Sequence, residues 1–110
     1  MMAKIVKELN SDIKVILGGH HAMLYAEEIL RYCSDIDIIA SGEFDYGLVE
    51  VVNALEKKFD TSYEKLCDIP GLYLRSQQNT IMSTGVREPI SSLDTLPFPE
   101  SACYYQNSDI

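Results

Sequence analysis

IDIIASGEFDYGLVEVVNALEKK, residues 36–58, is the stretch on which the fold class turns. Its first six residues are nearly continuous in apolar side chains. A short run of that kind reads as a strand buried on both faces, as in a parallel sheet covered by helices. Gly42-Glu43 closes the run. Leu48, Val51, Val52, Leu55 and Phe59 then fall at i, i+3, i+4, i+7 and i+11, which predicts a helix over residues 46–58 with Asp45 as its N-cap. Buried strand, glycine turn and amphipathic helix together form a unit of a wound α/β sheet.

The same pattern extends toward the N-terminus. Residues 14–17 read as a second short buried strand, stopped by Gly18-Gly19 and followed by His20-His21 in a loop. Residues 26–33 read as a helix with Ile29, Leu30 and Cys33 inward and Glu27, Glu28 and Arg31 outward. The two acids occupy its first turn, where the helix dipole favours them. Residues 2–9, MAKIVKEL, place Ile5, Val6 and Leu9 on one side of another short helix, which Asn10-Ser11-Asp12 breaks. The first sixty residues therefore read α-β-α-β-α. That is the order of a doubly wound, Rossmann- or flavodoxin-like parallel sheet with right-handed crossovers.

Beyond residue 60 the character changes. Pro70-Gly71 introduces LYLRS, then Gln77-Gln78-Asn79, then TIMST, which predicts a β-hairpin with a polar turn. From Gly85 onward there are three prolines and no periodicity, so this part reads as an extended linker or tail. Three regions result: an α/β portion (1–68), the hairpin (69–84) and the linker (85–110). A parallel sheet of two strands is too small to cover itself. The expectation is that the chain is the back half of a larger domain, with the rest of the sheet on its N-terminal side. An exposed sheet edge of that kind promotes association, so self-association is expected too.

Composition narrows the function classes. With 46% apolar and 24% charged residues, the 110-residue chain has the make-up of one globular domain. A net charge of −8, with only scattered Lys and Arg, argues against a nucleic-acid-binding surface. Lys57-Lys58 ends a predicted helix, where the pair complements the dipole. No apolar run reaches the ~18 residues of a membrane-spanning helix, and no signal-peptide pattern opens the chain. Cys33, Cys67 and Cys103 form no C-x-x-C pair, which speaks against a zinc site or a disulfide framework and fits a cytoplasmic, reducing setting.

The blocks IKVILGGHHAMLYAEEIL, DIDIIASGEFDYGLVEVVNAL, IPGLYLR and ISSLDTLPFP, in this order and spacing, resemble the N-terminal region of cobalamin-binding radical SAM enzymes. The branch they most resemble is the anaerobic magnesium-protoporphyrin monomethyl ester oxidative cyclases. The likeness runs over residues 4–99. It departs from the pattern at Phe44-Asp45, where Gly-Glu is frequent, at Met23, where Thr is frequent, and at Tyr25, where Pro is common. Neither a D-x-H-x-x-G cobalt-ligand motif nor a C-x-x-x-C-x-x-C cluster motif occurs within these residues. The resemblance thus implies the second half of a cobalamin domain plus a linker. In the parent enzyme, the iron–sulfur cluster and S-adenosylmethionine would belong to a further domain.

Site residues follow from position and from that resemblance. Ligands of open α/β sheets sit outside the carboxyl ends of the strands, and glycines there let a bulky group approach the backbone. By resemblance, Gly18 and Gly19 would line the groove that takes the nucleotide tail of cobalamin. The alternative is a turn needed only for backbone geometry. Of the two histidines, His21 is favoured for a polar contact to cofactor or backbone, because the family pattern tends to keep the second position. A metal site is disfavoured, since no Glu or Cys follows at helical spacing to complete one. Ser41, Gly42 and Glu43 end the neighbouring strand and should share the rim with the glycine pair. Glu43 could equally cap the following helix or bond loop amides. No nucleophile–base pair is apparent, so no catalytic residue is assigned. The competing function is a standalone α/β regulatory or protein-interaction module without cofactor.

Overall fold

The computed structural model describes residues 2–56 and 62–102. In chain order the elements are α1 (Met2–Leu9), β1 (Ile16–Leu17), α2 (His20–Leu24), α3 (Ala26–Tyr32), β2 (Ile38–Ala40), α4 (Asp45–Glu56), α5 (Ser62–Cys67), β3 (Leu72–Arg75) and β4 (Ile81–Ser83). A 3-10 turn, Leu93–Thr95, follows. The chain is α/β, as the alternation of its apolar runs predicts. Among the described residues, no helix is long and apolar enough to cross a membrane.

The four strands form one mixed sheet in the order β1-β2-β3-β4. β1 and β2 are parallel, with Ile16 opposite Ile38 and Leu17 opposite Ile39. The hairpin is not set apart from this pair. β3 lies antiparallel to β2, with Ala40 opposite Leu72 and Ile38 opposite Leu74, and β4 closes the far side. Gly71 makes the junction: its C=O accepts from Ser41 N–H (2.8 Å) and from Ser41 Oγ (3.2 Å). The sheet therefore has twice the strands that the parallel pair alone would supply.

Side chains alternate between two apolar layers, as a pleated strand requires. Ile38, Leu72 and Leu74 pack with Val51 and Ala54 of α4 and Leu66 of α5. On the opposite face Ile39 packs with Ala3, Ala22, Ala26, Leu30 and Ile36, against α1, α2 and α3. Helices thus cover both faces of the sheet.

Two helices bury a different stripe from the one their periodicity predicts. In α4 the buried residues are Gly47, Val51 and Ala54, whereas Leu48 is 48% and Val52 43% exposed. Apolar residues wrap more than half of this helix, and its small side chains let it sit closest to the sheet. Asp45 lies in the first turn rather than at the cap, since Leu48 N–H already bonds Phe44 C=O at 2.8 Å. The Lys57, Lys58 and Phe59 part of the expected helix lies outside the described residues. In α1 only Ala3 is buried, while Ile5 and Leu9 are exposed.

Polar ties fix the elements relative to one another. Asp37, just before β2, accepts from Val15 N–H at 2.7 Å and pairs with Lys7 of α1, also at 2.7 Å. Lys7 Nζ also donates to Ile13 C=O at 2.7 Å. Arg75 reaches from β3 to the end of α3. Its guanidinium donates to the carbonyls of Leu30, Cys33 (2.8 Å) and Ile36 (2.6 Å). Leu30 and Cys33 are at the end of α3, where a helix leaves carbonyls without intrahelical partners, and Ile36 lies in the connection to β2.

Candidate functional site

Because β1 and β2 are parallel neighbours, their carboxyl ends finish on one rim, and Gly18-Gly19 lies beside Ser41-Gly42-Glu43. A cleft of about 290 Å³ opens at this rim, lined by Gly19, His20, Met23, Gly42 and Glu43. A second groove of about 400 Å³ adjoins it, lined by Ile16, Gly18, Ala40, Phe44, Asp45 and Leu48. The glycine ledge between the strand ends is thus bordered by two hollows, one of which carries His20 and Glu43 and the other Ile16, Phe44 and Leu48.

Gly19 and Gly42 have φ angles of +100° and +81°, in the region where other residues are strained. A Cβ on either would meet nothing within 4 Å, so both leave open space over the strand ends. Conformation and vacancy together make these two positions suited to close backbone approach by a ligand.

The chain does not pass from Gly19 into a loop. α2 starts directly at His20, with Met23 N–H bonding Gly19 C=O at 3.0 Å and Tyr25 N–H bonding His21 C=O at 3.1 Å. Five residues are too few for periodicity to reveal. This turn decides which histidine meets the cleft. His20 lines it, whereas the His21 ring stands against Tyr25 with centroids 4.9 Å apart.

Of the six residues expected at a cofactor site, Gly19, Gly42 and Glu43 line the cleft and Gly18 lines the adjoining groove. Ser41 is tied to Gly71, and the His21 ring stands against Tyr25, at the junction of α2 and α3. Of the histidine pair the sequence favours His21, whereas His20 lines the cleft, and nothing in the sequence marks Met23 as a cleft residue. Nor does the sequence mark Phe44 and Leu48 as walls of the groove. Their strand-end and turn positions were readable, but not which way each turn faces.

Glu43 also holds the chain that follows the hairpin. Its Oε2 accepts from Ile90 N–H at 2.7 Å. Nearby, Arg87 pairs with Glu50 at 2.8 Å, donates to Pro70 C=O at 3.2 Å and stands 5.1 Å over the Phe44 ring. The Tyr46 hydroxyl meets Thr95 Oγ1 at 3.0 Å. Residues 87–95 therefore run back along the start of α4, beside the rim. Among the described residues no group of three His, Cys, Asp or Glu is placed to hold a metal ion. The cleft is lined by a carboxylate, an imidazole, a thioether and bare backbone.

Comparison with known proteins adds two relatives. The chain is 31% identical over 98 residues to an uncharacterized methyltransferase of Pyrococcus horikoshii, across 89% of this chain and 20% of that protein. It is 27% identical over 93 residues to the anaerobic magnesium-protoporphyrin IX monomethyl ester cyclase of Rubrivivax gelatinosus, across 84% of this chain and 16% of that one. The chain spans a fifth or less of the length of these curated relatives. No family model matches it, and no solved structure matches it. By sequence, the chain is a distant homologue of a methyltransferase and of a porphyrin ester cyclase.

Proposed function

We propose that the chain forms one wall of the cobalamin site in an α/β domain of a radical SAM enzyme, either an oxidative cyclase or a methyltransferase, and is not catalytic alone. One observation carries this reading: the cleft lies at the carboxyl ends of two parallel strands, with a ledge built from glycines. The distant homology to a cyclase and a methyltransferase supports it from a second direction.

The residues present fit part of such a group. Gly19 and Gly42 leave the ledge open to an extended nucleotide tail. His20 and Glu43 offer polar contacts at its border, and Met23 offers an apolar one. A hollow of about 290 Å³ takes a portion of a corrinoid, so remaining walls would come from elsewhere in the parent protein. When bound, cobalamin supplies a cobalt centre able to carry a methyl group. This chain's residues hold and orient. Cluster and S-adenosylmethionine belong, in this reading, to a separate domain of the parent.

Titrating the chain with hydroxocobalamin and following the visible spectrum tests the proposal. Saturable binding is expected, weakened at least about tenfold by Gly42→Val, because the side chain fills the ledge and strains the turn. Absence of saturable binding, or equal binding by the variant, contradicts it.

A further inference from the structure

We infer that residues 87–95 strap down the two side chains bordering the glycine ledge, Glu43 and Phe44, and thereby set how tightly the ledge holds a ligand. The affinity half rests on the cofactor reading proposed above, and the positioning half does not. Glu43 and Phe44 are consecutive, yet they border different hollows, Glu43 the cleft and Phe44 the groove. The strap meets both. Ile90 N–H donates to Glu43 Oε2 at 2.7 Å. Glu43 is exposed, and a free glutamate side chain samples several rotamers. A charge-assisted bond from the backbone selects one of them. A carboxylate accepts at both oxygens, so the bond to Ile90 leaves capacity for a donor in the cleft.

Phe44 is fixed by packing. A Cβ at Gly47 would stand 2.6–2.8 Å from three atoms of the Phe44 ring, so the ring lies directly on the backbone of the first turn of α4. A glycine inside a helix weakens it relative to alanine, and here it makes room for the ring. The Arg87 guanidinium stands over that ring at 5.1 Å. Arg87 is itself held by Glu50 at 2.8 Å and by Pro70 C=O at 3.2 Å, with its side chain only 13% exposed. Further along, Thr95 meets the Tyr46 hydroxyl, so the strap is fastened to the turn before α4 and to the helix itself. With Glu43 and Phe44 preset, a ligand need not order them on binding. Linkage is reciprocal, so a bound ligand must hold the strap down by the same factor. Arg87 and Ile90 are thus positioning residues for the ledge.

Substitutions in the strap test this. Ile90→Pro deletes the donated N–H, Ile90→Val keeps it, and Arg87→Met removes the guanidinium but keeps the stem. Without ligand, NMR should show the Glu43 amide moved by Ile90→Pro and the Phe44 ring signals moved by Arg87→Met, with the Ile38 and Leu74 amides of the core unmoved. In visible titrations with hydroxocobalamin, Ile90→Pro and Arg87→Met should each raise Kd at least about fivefold. Ile90→Val should bind as the unaltered chain does, and so should Val86→Ser, at a position 91% exposed. In the unaltered chain, saturating hydroxocobalamin should slow exchange at the Ile90 amide by about the factor that Ile90→Pro costs in Kd. Binding left intact by both Ile90→Pro and Arg87→Met, or Ile90 exchange indifferent to ligand, overturns the inference while the cofactor reading stands. A chain that takes up no hydroxocobalamin overturns the cofactor reading instead. The unliganded spectra then decide the strap, and Glu43 and Phe44 signals unmoved by these two variants overturn it.

Discussion

Replacing Arg75 with methionine removes a guanidinium that ties β3 to the end of α3 while keeping most of the apolar stem. Three carbonyls, those of Leu30, Cys33 and Ile36, lose a charged donor in part-buried surroundings. Hydrogen bonds to charged groups contribute about 1.5–3 kcal/mol each, and some of that returns when water reaches the freed carbonyls. The expected net loss is about 3 kcal/mol, out of the roughly 5–15 kcal/mol that stabilises a domain of this size. In urea, a slope of about 1–1.5 kcal/mol/M converts this to a fall of about 2–3 M in the unfolding midpoint. Arg75→Lys should recover less than half, because a single ammonium cannot span three carbonyls set around a planar fork. Equilibrium unfolding monitored by circular dichroism reads both variants. A methionine variant within about 0.3 M of the parent, or a lysine variant equal to it, would refute the assignment of Arg75 as the main polar tie between sheet and helix.

Asp37→Ala should cost about 2 kcal/mol, since it orphans Val15 N–H and breaks the pair with Lys7, and Asp37→Asn should cost about half as much because an acceptor remains. Chemical denaturation measures both, with faster exchange at the Val15 amide marking the lost bond. Glu43→Ala should release Ile90 N–H, raising its exchange rate at least about tenfold, while β2 amides and global stability within about 0.5 kcal/mol stay unchanged. Unaltered exchange at Ile90 would mean that Glu43 does not hold the segment after the hairpin.

Much of the architecture was legible because its signals are local. Residues 36–41 and 14–17 advertise strands by continuous apolar runs, and Asn79, at φ +61°, supplies the hairpin turn that Gln77-Gln78-Asn79 suggested. The pairing of β3 with β2 was not legible, since no local pattern states which edge a hairpin joins. Helix phase was hidden for a different reason. Leu48, Val49, Val51, Val52, Ala54 and Leu55 surround α4 so broadly that periodicity gives the helix but not its contact stripe. At the site, the rim could be read from glycines ending parallel strands. That His20 rather than His21 lines the cleft could not, because it depends on the short turn of α2 that starts at His20.

The central claim is that the glycine ledge receives a corrinoid, and residue-resolved NMR addresses it most directly. In ¹⁵N-labelled chain titrated with cobalamin in a diamagnetic form, the account predicts saturable shifts confined to the amides of Gly18, Gly19, His20, Met23, Gly42 and Glu43. Amides of β4 and of the Arg75–α3 junction, on the far side of the sheet, should stay in place. Shifts scattered over the surface, or none at the strand ends, would contradict it.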